Sequence, residues 1–286
     1  MKQNKKRKTL HSALKANRLE REGGGRRRRT VCAVLAVILL VALGVGATIA
    51  YGKLRGLWIR QCAITDVSRQ VEIVTGPNIK AGVILESFGL RKGANLALID
   101  FAEKRTEILG RIPNIRTITV ARHLPDRVTI SVEERDPVAR LATRGNRNTG
   151  LVVDDEGVVF RRQTGVQTLP TITDKNEPAA GSKLAGRASA ALRLLEECRD
   201  GRFAVFALLD VNASPADYLY ATLGNYTFAK IAWEGMDEPI ASTHDAMIEQ
   251  LDNFLHAYNS GTTGPGTVWN VMLKGRAFAD TKEPIL

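Results

Sequence analysis

The chain has few of the residues that commonly carry chemistry, with three cysteines and four histidines among 286 residues. Cys32 lies inside an apolar run, so only Cys62 and Cys198 could pair outside it. Because two residues make neither a disulfide framework nor a metal cluster, we expect no structural disulfide. His244 has Asp245 beside it but no nucleophile motif nearby, and no H-E-x-x-H, G-x-S-x-G or P-loop pattern occurs. The sequence therefore predicts no catalytic residue, no cofactor and no metal site.

Charged residues are absent from the run of 22 residues between Thr30 and Tyr51. At about 1.5 Å per residue a helix of this length measures roughly 33 Å, enough to cross a hydrocarbon core of about 30 Å. We expect a single transmembrane helix here. A cleaved signal peptide stays open as an alternative, because Thr48-Ile49-Ala50 is a weak cleavage site. The run directly follows four arginines, Arg26, Arg27, Arg28 and Arg29.

Basic residues are concentrated ahead of this run. Residues 1–29 hold 12 of the 41 Lys and Arg and only two acids, a net charge of +10, whereas the rest of the chain has 29 bases and 28 acids. The net charge of +11 thus belongs to a tail, which argues against a nucleic-acid partner. Residues 15–29 contain seven Lys or Arg and residues 52–66 contain three. The positive-inside rule therefore places the N-terminus in the cytoplasm, and the four arginines can also contact anionic lipid.

The chain beyond the span begins with a compact pattern of secondary-structure signals. Apolar residues predict a strand from Val67 to Ile73, ended by Gly76-Pro77, and then a helix from Ile79 to Phe88. Asp100 is the expected N-cap of a second helix. Two alternating runs follow, joined by a hairpin turn at His123-Leu124-Pro125-Asp126. The predicted order is β-α-α-β-β.

The remainder of the chain predicts a mixed region that is mainly β. An acidic hairpin turn at residues 154–157 could suggest calcium, but three acids in a turn are usually only solvated. The other expected elements are a helix over 187–197, strands over 203–211, 218–223 and 226–233, a helix over 245–258 and a last strand over 267–278.

Six short motifs follow one another behind the basic tail and the span. They are Gly93-x-Asn95-Leu96 ahead of Asp100, Pro113-x-Ile115, Val120-x-Arg122-x-Leu124-Pro125, Ile130-x-Val132-x-Glu134-Arg135-x-Pro137-Val138-Ala139, Val153-Asp154-x-x-Gly157-x-x-Phe160, and Leu169-Pro170. In this order the chain resembles the FtsQ/DivIB family of bacterial division proteins. The likeness covers the span to about residue 172 well and the remainder loosely.

The resemblance implies a membrane-anchored α+β protein with two domains outside the membrane. We expect a POTRA domain, a small polypeptide-binding module, over 64–135 and a mixed, mainly β domain with helices over 136–280. The expected flanking segments are a basic cytoplasmic tail over 1–29, the transmembrane helix over 30–51, a juxtamembrane connector over 52–63 and a tail over 281–286.

The resemblance also implies a bitopic inner-membrane scaffold at the division septum, with most of the chain in the periplasm. Its partners would be FtsB-like and FtsL-like coiled-coil subunits and the septal peptidoglycan synthase complex, with no small-molecule substrate. Binding could proceed by strand addition at the hairpin or at the last strand. The candidate partner-binding residues are Ile118, Val120, Arg122, Glu134, Arg135, Pro137, Val268, Trp269, Val271, Leu273 and Phe278.

Other interpretations stay open at this point. Glu134, Arg135 and Pro137 could be structural, with Arg135 pairing with a carboxylate where the two domains meet. Trp269 and Phe278 could be ordinary core residues rather than interface anchors. The alternative functions are a POTRA-bearing component of outer-membrane export or assembly and a membrane-anchored cell-wall enzyme.

Overall fold

The computed structural model describes residues 35–261 and 264–280. Thr30, the four arginines before it, the basic tail and the segment 281–286 lie outside the described residues. The contacts divide the chain into two units, and one consists of the residues up to Thr65 together with Lys92–Leu98 and Leu124–Asp126. The other consists of Asp66–Arg91, Ile99–His123 and the chain from Arg127 onward.

The first unit is dominated by helix α1, Leu35–Gln61. Its 27 residues are long enough and apolar enough to cross a membrane, and no residue of its apolar window is buried. The hydroxyl of Thr48 donates to the carbonyl of Val45 at 2.8 Å, so this polar group is satisfied within the helix. The helix continues ten residues past Tyr51, so most of the segment expected as a connector is helical.

Asn95 stabilises the C-terminal end of α1. A helix leaves its last four carbonyls without intrahelical partners, and the Asn95 side chain donates to the carbonyl of Ile59 at 2.6 Å. Backbone hydrogen bonds then join the segments on either side, from Ile64 N–H to Ala94 at 2.7 Å and from Leu96 N–H to Cys62 at 2.9 Å. The Gly93-x-Asn95-Leu96 motif thus closes the chain around the end of the helix.

A three-stranded domain opens the second unit. Its strand order is β1-β3-β2, with β1 parallel and β2 antiparallel to the central strand. The predicted β-α-α-β-β order is confirmed, although the first strand begins at Val71 after a helical turn capped by the Asp66 side chain. Its elements are α2 (Val67–Gln70), β1 (Val71–Val74), α3 (Ala81–Ser87), α4 (Phe101–Arg111), β2 (Ile115–His123) and β3 (Arg127–Glu134).

Helix α4 begins as its sequence predicts. One carboxylate oxygen of Asp100 accepts hydrogen bonds from the N–H groups of Ala102 and Glu103, each at 3.0 Å. These are donors that the first turn of a helix leaves unpaired. The helix then buries Phe101 and Ile108, and the Phe101 ring lies 5.7 Å from that of Phe88.

A nine-stranded domain follows. Its strand order is β12-β11-β10-β9-β8-β7-β4-β5-β6, so β12 and β6 are the two edges of the sheet. The pairs β4–β7, β7–β8 and β10–β11 are parallel and the others antiparallel. Its elements are β4 (Ala139–Thr143), β5 (Leu151–Val153), β6 (Val159–Arg161), β7 (Thr171–Asp174), α5 (Gly186–Glu197), a 3₁₀ helix (Gly201–Phe206), β8 (Asp210–Asn212), β9 (Leu219–Thr222), β10 (Phe228–Ile231), α6 (Thr243–Ser260), β11 (Val268–Val271) and β12 (Phe278–Asp280).

One face of this sheet and the two long helices share a hydrophobic core. Helix α5 contributes Ala191 and Leu194, α6 contributes Leu251 and Phe254, and alternate strand residues complete the cluster. Alternation along a strand places every second side chain on the same face, which is why short strands suffice to build this core. The fold is thus a membrane-anchored α+β architecture.

Two expected strands of this domain are wrong. The segment 203–211 begins with the last four residues of the 3₁₀ helix Gly201–Phe206, followed by Ala207 with φ +46°, and only its end joins the sheet. The segment 267–278 is two antiparallel strands, β11 and β12, separated by a turn in which Gly275 has φ +71°. The latter correction moves the edge of the sheet from β11 to β12.

Candidate docking surfaces

The strand around Ile118 lies where a docking strand could reach it. β2 pairs with β3 on one side, and it is an edge of the three-stranded sheet. Ile118 is buried and Val120 half-buried, so their side chains serve the domain itself. The guanidinium carbon of Arg122 lies 5.0 Å from the centre of the Phe101 ring, a cation–π distance. The backbone edge, rather than these side chains, is what β2 can offer a partner.

Glu134 has a structural role. Its carboxylate accepts hydrogen bonds from the N–H groups of Asn78 and Ile79, at 2.9 and 2.8 Å, and from the Asn78 amide at 2.6 Å. A Cβ on Gly76 would lie 2.6 Å from the Glu134 carboxyl carbon. Glycine therefore lets the carboxylate fit beneath the turn that leads into α3.

Arg135 joins the three-stranded domain to the nine-stranded domain. Its Nη1 donates to Asp154 at 2.5 Å and to Glu156 at 2.7 Å. The Arg135 side chain is 13% exposed and that of Asp154 is fully buried. The other Asp154 oxygen accepts from the N–H groups of Val158 at 2.7 Å and Glu156 at 3.1 Å. Asp154 is thus the carboxylate expected for Arg135.

A second arginine strengthens the same contact. Nη2 of Arg116, on β2, lies 3.3 Å from Asp155 and 3.3 Å from Glu156. The hydrogen bond from Arg135 lowers the pKa of Glu156 below its usual value, and the positive charges of Arg135 and Arg116 lower it further against the opposing effect of burial. Arg135 and Arg116 therefore pair with all three acids of the turn, Asp154, Asp155 and Glu156, and these acids have a structural role.

Pro137 lines an apolar cleft of about 420 Å³, together with Leu169, Pro170 and the end of α5. Glu196 lies in the same lining, and burial raises the pKa of its carboxyl group. Its Oε1 has no hydrogen-bond partner among the described residues. No local sequence pattern predicts this cleft, because its walls come from segments far apart in the chain.

The aromatic and aliphatic residues expected at the last strand divide into two groups. Val268, Trp269 and Val271 are buried, with Trp269 only 2% exposed. The Trp269 ring lies 5.6 Å from that of Phe254 and 5.8 Å from that of Tyr258. These residues belong to the core because β11 is flanked by strands on both sides.

Leu273 and Phe278 are accessible, at 53% and 45% exposure. Phe278 opens β12, which pairs with β11 through Trp269 opposite Ala279 and Asn270 opposite Phe278. In the part of the chain that the structure describes, β12 is the last strand on its side of the sheet. Its outer edge is where another strand could be added.

The opposite edge, β6, is covered by the chain itself. The N–H of Val159 donates to Ser182 at 2.9 Å, and Val159 accepts from the N–H of Gly181 at 2.7 Å. The Asn114 amide, from the three-stranded domain, donates to the carbonyl of Arg161 at 2.8 Å. The two edges of the sheet therefore differ in their capacity to accept a strand.

The described residues contain no cluster of side chains that could hold a metal ion. Across residues 35–261 and 264–280, no three His, Cys, Asp or Glu side chains lie together as a metal site requires. Cys62 and Cys198 are both buried free thiols. Burial raises the pKa of the Cys198 thiol to about 12, which keeps it protonated and weakly nucleophilic at neutral pH.

The sequence is similar to known proteins in the three-stranded domain and beyond it. The family model described as a POTRA domain of FtsQ type matches residues 68–135. The chain is 31% identical over 124 residues to the cell division protein FtsQ of Myxococcus fulvus, covering 42% of each chain. It is 26% identical over 198 residues to FtsQ of Koribacter versatilis, covering 65% of this chain and 54% of the relative.

The chain thus spans about half the length of the curated relatives it matches. The matched domain is the three-stranded domain described above, in which the edge strand β2 and the residues Glu134 and Arg135 lie. The FtsQ-type POTRA domain and both relatives agree with the motif order in the sequence, and together they support membership of the chain in the FtsQ/DivIB family.

Proposed function

We propose that the chain is a single-pass scaffold of the bacterial division machinery. It is anchored in the inner membrane by α1, with its N-terminus in the cytoplasm and its domains in the periplasm at the septum. It recruits and positions the proteins that make septal peptidoglycan, and it catalyses no reaction itself. The observation that carries the proposal is an FtsQ-type POTRA domain at residues 68–135 in a chain whose relatives are named as cell division proteins.

The proposed docking element for the coiled-coil partner is the outer edge of β12. An added strand pairs its backbone with unpaired groups of an edge, and exposed side chains beside that edge supply specificity. Phe278, the first residue of β12, and Leu273, in the turn between β11 and β12, are exposed large apolar residues. An FtsB-like subunit is the proposed occupant, with an FtsL-like subunit and the septal synthase complex following it. The β2 edge of the POTRA domain is the proposed second docking element.

Depletion of the protein tests the cellular role. We expect depleted cells to grow as filaments without septa and to lose septal localisation of the synthase complex. Normal division together with normal recruitment of those proteins would overturn the proposal.

Two proline variants test the β12 edge. Successive residues of a strand direct their N–H groups to opposite sides, so Phe278→Pro and Ala279→Pro remove donors on different sides of β12. The variant that removes a hydrogen bond to β11 should lower the melting temperature of the protein. The other removes an outward donor and should abolish co-purification of the FtsB-like partner while the melting temperature stays unchanged. Retention of the partner by both folded variants would exclude strand addition at β12.

A further inference from the structure

A cleft on the nine-stranded domain, distinct from β12, is lined by arginine without acid. Its volume is about 280 Å³, and the lining includes Arg140, Arg147 and Arg162 but no Asp or Glu. Lysine is absent from the lining as well. Guanidinium groups bind carboxylates in a planar, bidentate manner that an ammonium cannot reproduce. The lining therefore favours an anion, such as a carboxylate, that presents two oxygens side by side.

Two of the arginines are held in place by the fold. Arg140 donates from Nε to the carbonyl of Leu169 at 3.2 Å and from Nη2 to the Thr171 hydroxyl at 2.9 Å. Arg162 donates from Nη1 to the carbonyl of Arg135 at 3.5 Å. Its Nε is buried and has no hydrogen-bond partner among the described residues. Anchored guanidinium groups lose less freedom on binding than free ones do.

Arg147 differs from these two. It is exposed, and it makes no ion pair or hydrogen bond within the described chain, although its charge acts on Asp210. Two carboxylates, Asp136 and Asp210, lie near the cleft arginines. Asp136 is 4.0 Å from Arg162 Nη1 but 95% exposed, so water screens it. Asp210 is outside the lining but interacts with the charges of Arg140 and Arg147; burial raises the pKa of its carboxyl group, and the Thr173 hydroxyl donates to it at 3.1 Å.

The uncharged lining indicates what kind of anion fits. Asn148, Gln163 and Gln167 add side-chain amides, each with an acceptor oxygen as well as donors. A doubly ionised phosphate monoester offers these acceptors no donor, whereas the backbone N–H groups of a peptide do. Apolar contact comes from Leu141 and Val166 at the floor.

We propose that this cleft binds an acidic segment of a partner polypeptide, with carboxylates on the arginines and peptide N–H groups on the amides. Recognition there is by side chains, because the neighbouring edge strand β6 is already covered by Gly181 and Ser182. The site lies beyond the POTRA domain, and it adds a second class of contact to the proposed scaffold. It does not depend on strand addition at β12.

The test uses the full chain in nanodiscs and a benzophenone-labelled peptide of twelve residues in which Glu alternates with Ala. Cross-links are mapped by mass spectrometry after trypsin, and the tryptic peptide 163–175 reports on the cleft. The matched variants are Arg147→Glu in the lining and Arg144→Glu, an exposed arginine outside the lining. Both variants keep the basic tail and any background that it causes.

We expect cross-links in 163–175 that fall about tenfold in Arg147→Glu, since a charge-assisted contact becomes a repulsion, and that persist in Arg144→Glu. A peptide with Gln in place of Glu should give none. Equal yields from the two variants, cross-links confined to residues 1–29, or no cross-link at all would overturn the proposal. Tripolyphosphate that displaces the peptide at a lower concentration than the unlabelled peptide itself would identify a phosphate site and also overturn it.

Discussion

Nη1 of Arg135 lies 2.5 Å from a carboxylate oxygen of Asp154, a residue with no exposed side-chain surface. Arg135 follows the last strand of the POTRA domain, and Asp154 opens the acidic turn of the nine-stranded domain. The pair thus places a buried charge contact where the two domains meet. Removing one member leaves the other charge buried without its counter-ion, which is costly even where the intact pair is not strongly stabilising.

We expect Arg135→Ala to lower the free energy of unfolding by about 3–5 kcal/mol, because Asp154 would remain buried and unpaired. Arg116→Ala is the control, since its carboxylate partners are exposed and such pairs contribute about 1 kcal/mol or less. Denaturant unfolding of the full chain in detergent, followed by tryptophan fluorescence, measures both. A loss for Arg135→Ala no greater than for Arg116→Ala would contradict the role assigned to the buried pair.

The pKa of Glu156 gives the same contact a pH dependence. Because the folded-state pKa lies below the ordinary value of 4.5, the unfolded chain binds a proton more readily. The stabilisation is complete above that ordinary value and is lost as the pH falls through the folded-state pKa. We expect Glu156→Gln to melt below the wild type at pH 7 and the difference to shrink on acidification below 4.5. A difference in melting temperature that is independent of pH would contradict this assignment.

Gly76→Ala should destabilise the POTRA domain. The added Cβ would lie 2.6 Å from the Glu134 carboxyl carbon, so the carboxylate must leave the N–H groups it caps, at a cost of about 1–3 kcal/mol. Gly82→Ala is the matched control, because a Cβ there meets open space within α3. Alanine at that position should stabilise the helix by up to about 1 kcal/mol. Equal effects of the two substitutions on thermal unfolding would argue against the Glu134 contact.

Trp269 and Phe278 should respond oppositely in assays of stability and binding. Trp269→Ala opens a cavity beside Phe254 and Tyr258 and should cost about 3–5 kcal/mol in unfolding free energy. Phe278→Ala changes an exposed side chain, so stability should be nearly unchanged while co-purification of the FtsB-like partner weakens. Unaltered partner binding by Phe278→Ala would remove this residue from the docking surface.

Cys198 should resist alkylation in the folded protein. Its pKa of about 12 compares with an ordinary value of 9.0, so the reactive thiolate is scarce at pH 8 and the sulfur is also buried. We expect iodoacetamide to label Cys198 only after denaturation, as mass spectrometry of tryptic peptides would report. Rapid labelling of this residue under native conditions would contradict its burial.

Local signals predict the β-α-α-β-β order of the three-stranded domain closely. The Asp100 cap, the hairpin turn after His123 and the alternating strands each depend on residues near one another in sequence. Pairing of Arg135 with an acid was expected, and Asp154 supplies it only 19 positions away. Capping and turn preferences act over a few residues, so a single sequence contains enough information to read them.

The nine-stranded domain was harder to predict for a physical reason. Whether an apolar strand is central or at an edge depends on its neighbours across the sheet. β11 lies between β10, which precedes it in the chain, and β12, which follows it. Trp269 therefore could not be distinguished from an interface residue by its own segment. The same limit applies to Phe206, which lies in a 3₁₀ helix whose apolar composition resembles that of a strand. Its ring stacks on that of Phe254 in α6, with the ring centres 4.4 Å apart. The arginine cleft likewise combines residues that no local pattern connects.

The unequal edges of the nine-stranded sheet limit how copies of this domain could associate through it. A sheet with two open edges can add molecules without end, in the manner of a fibre. Here Ser182, Gly181 and Asn114 already bond to β6, so two copies could join through this sheet only by pairing β12 with β12. Such a contact is isologous and closes at two molecules. The covered edge therefore protects this domain, at high local concentration, from open-ended polymerisation.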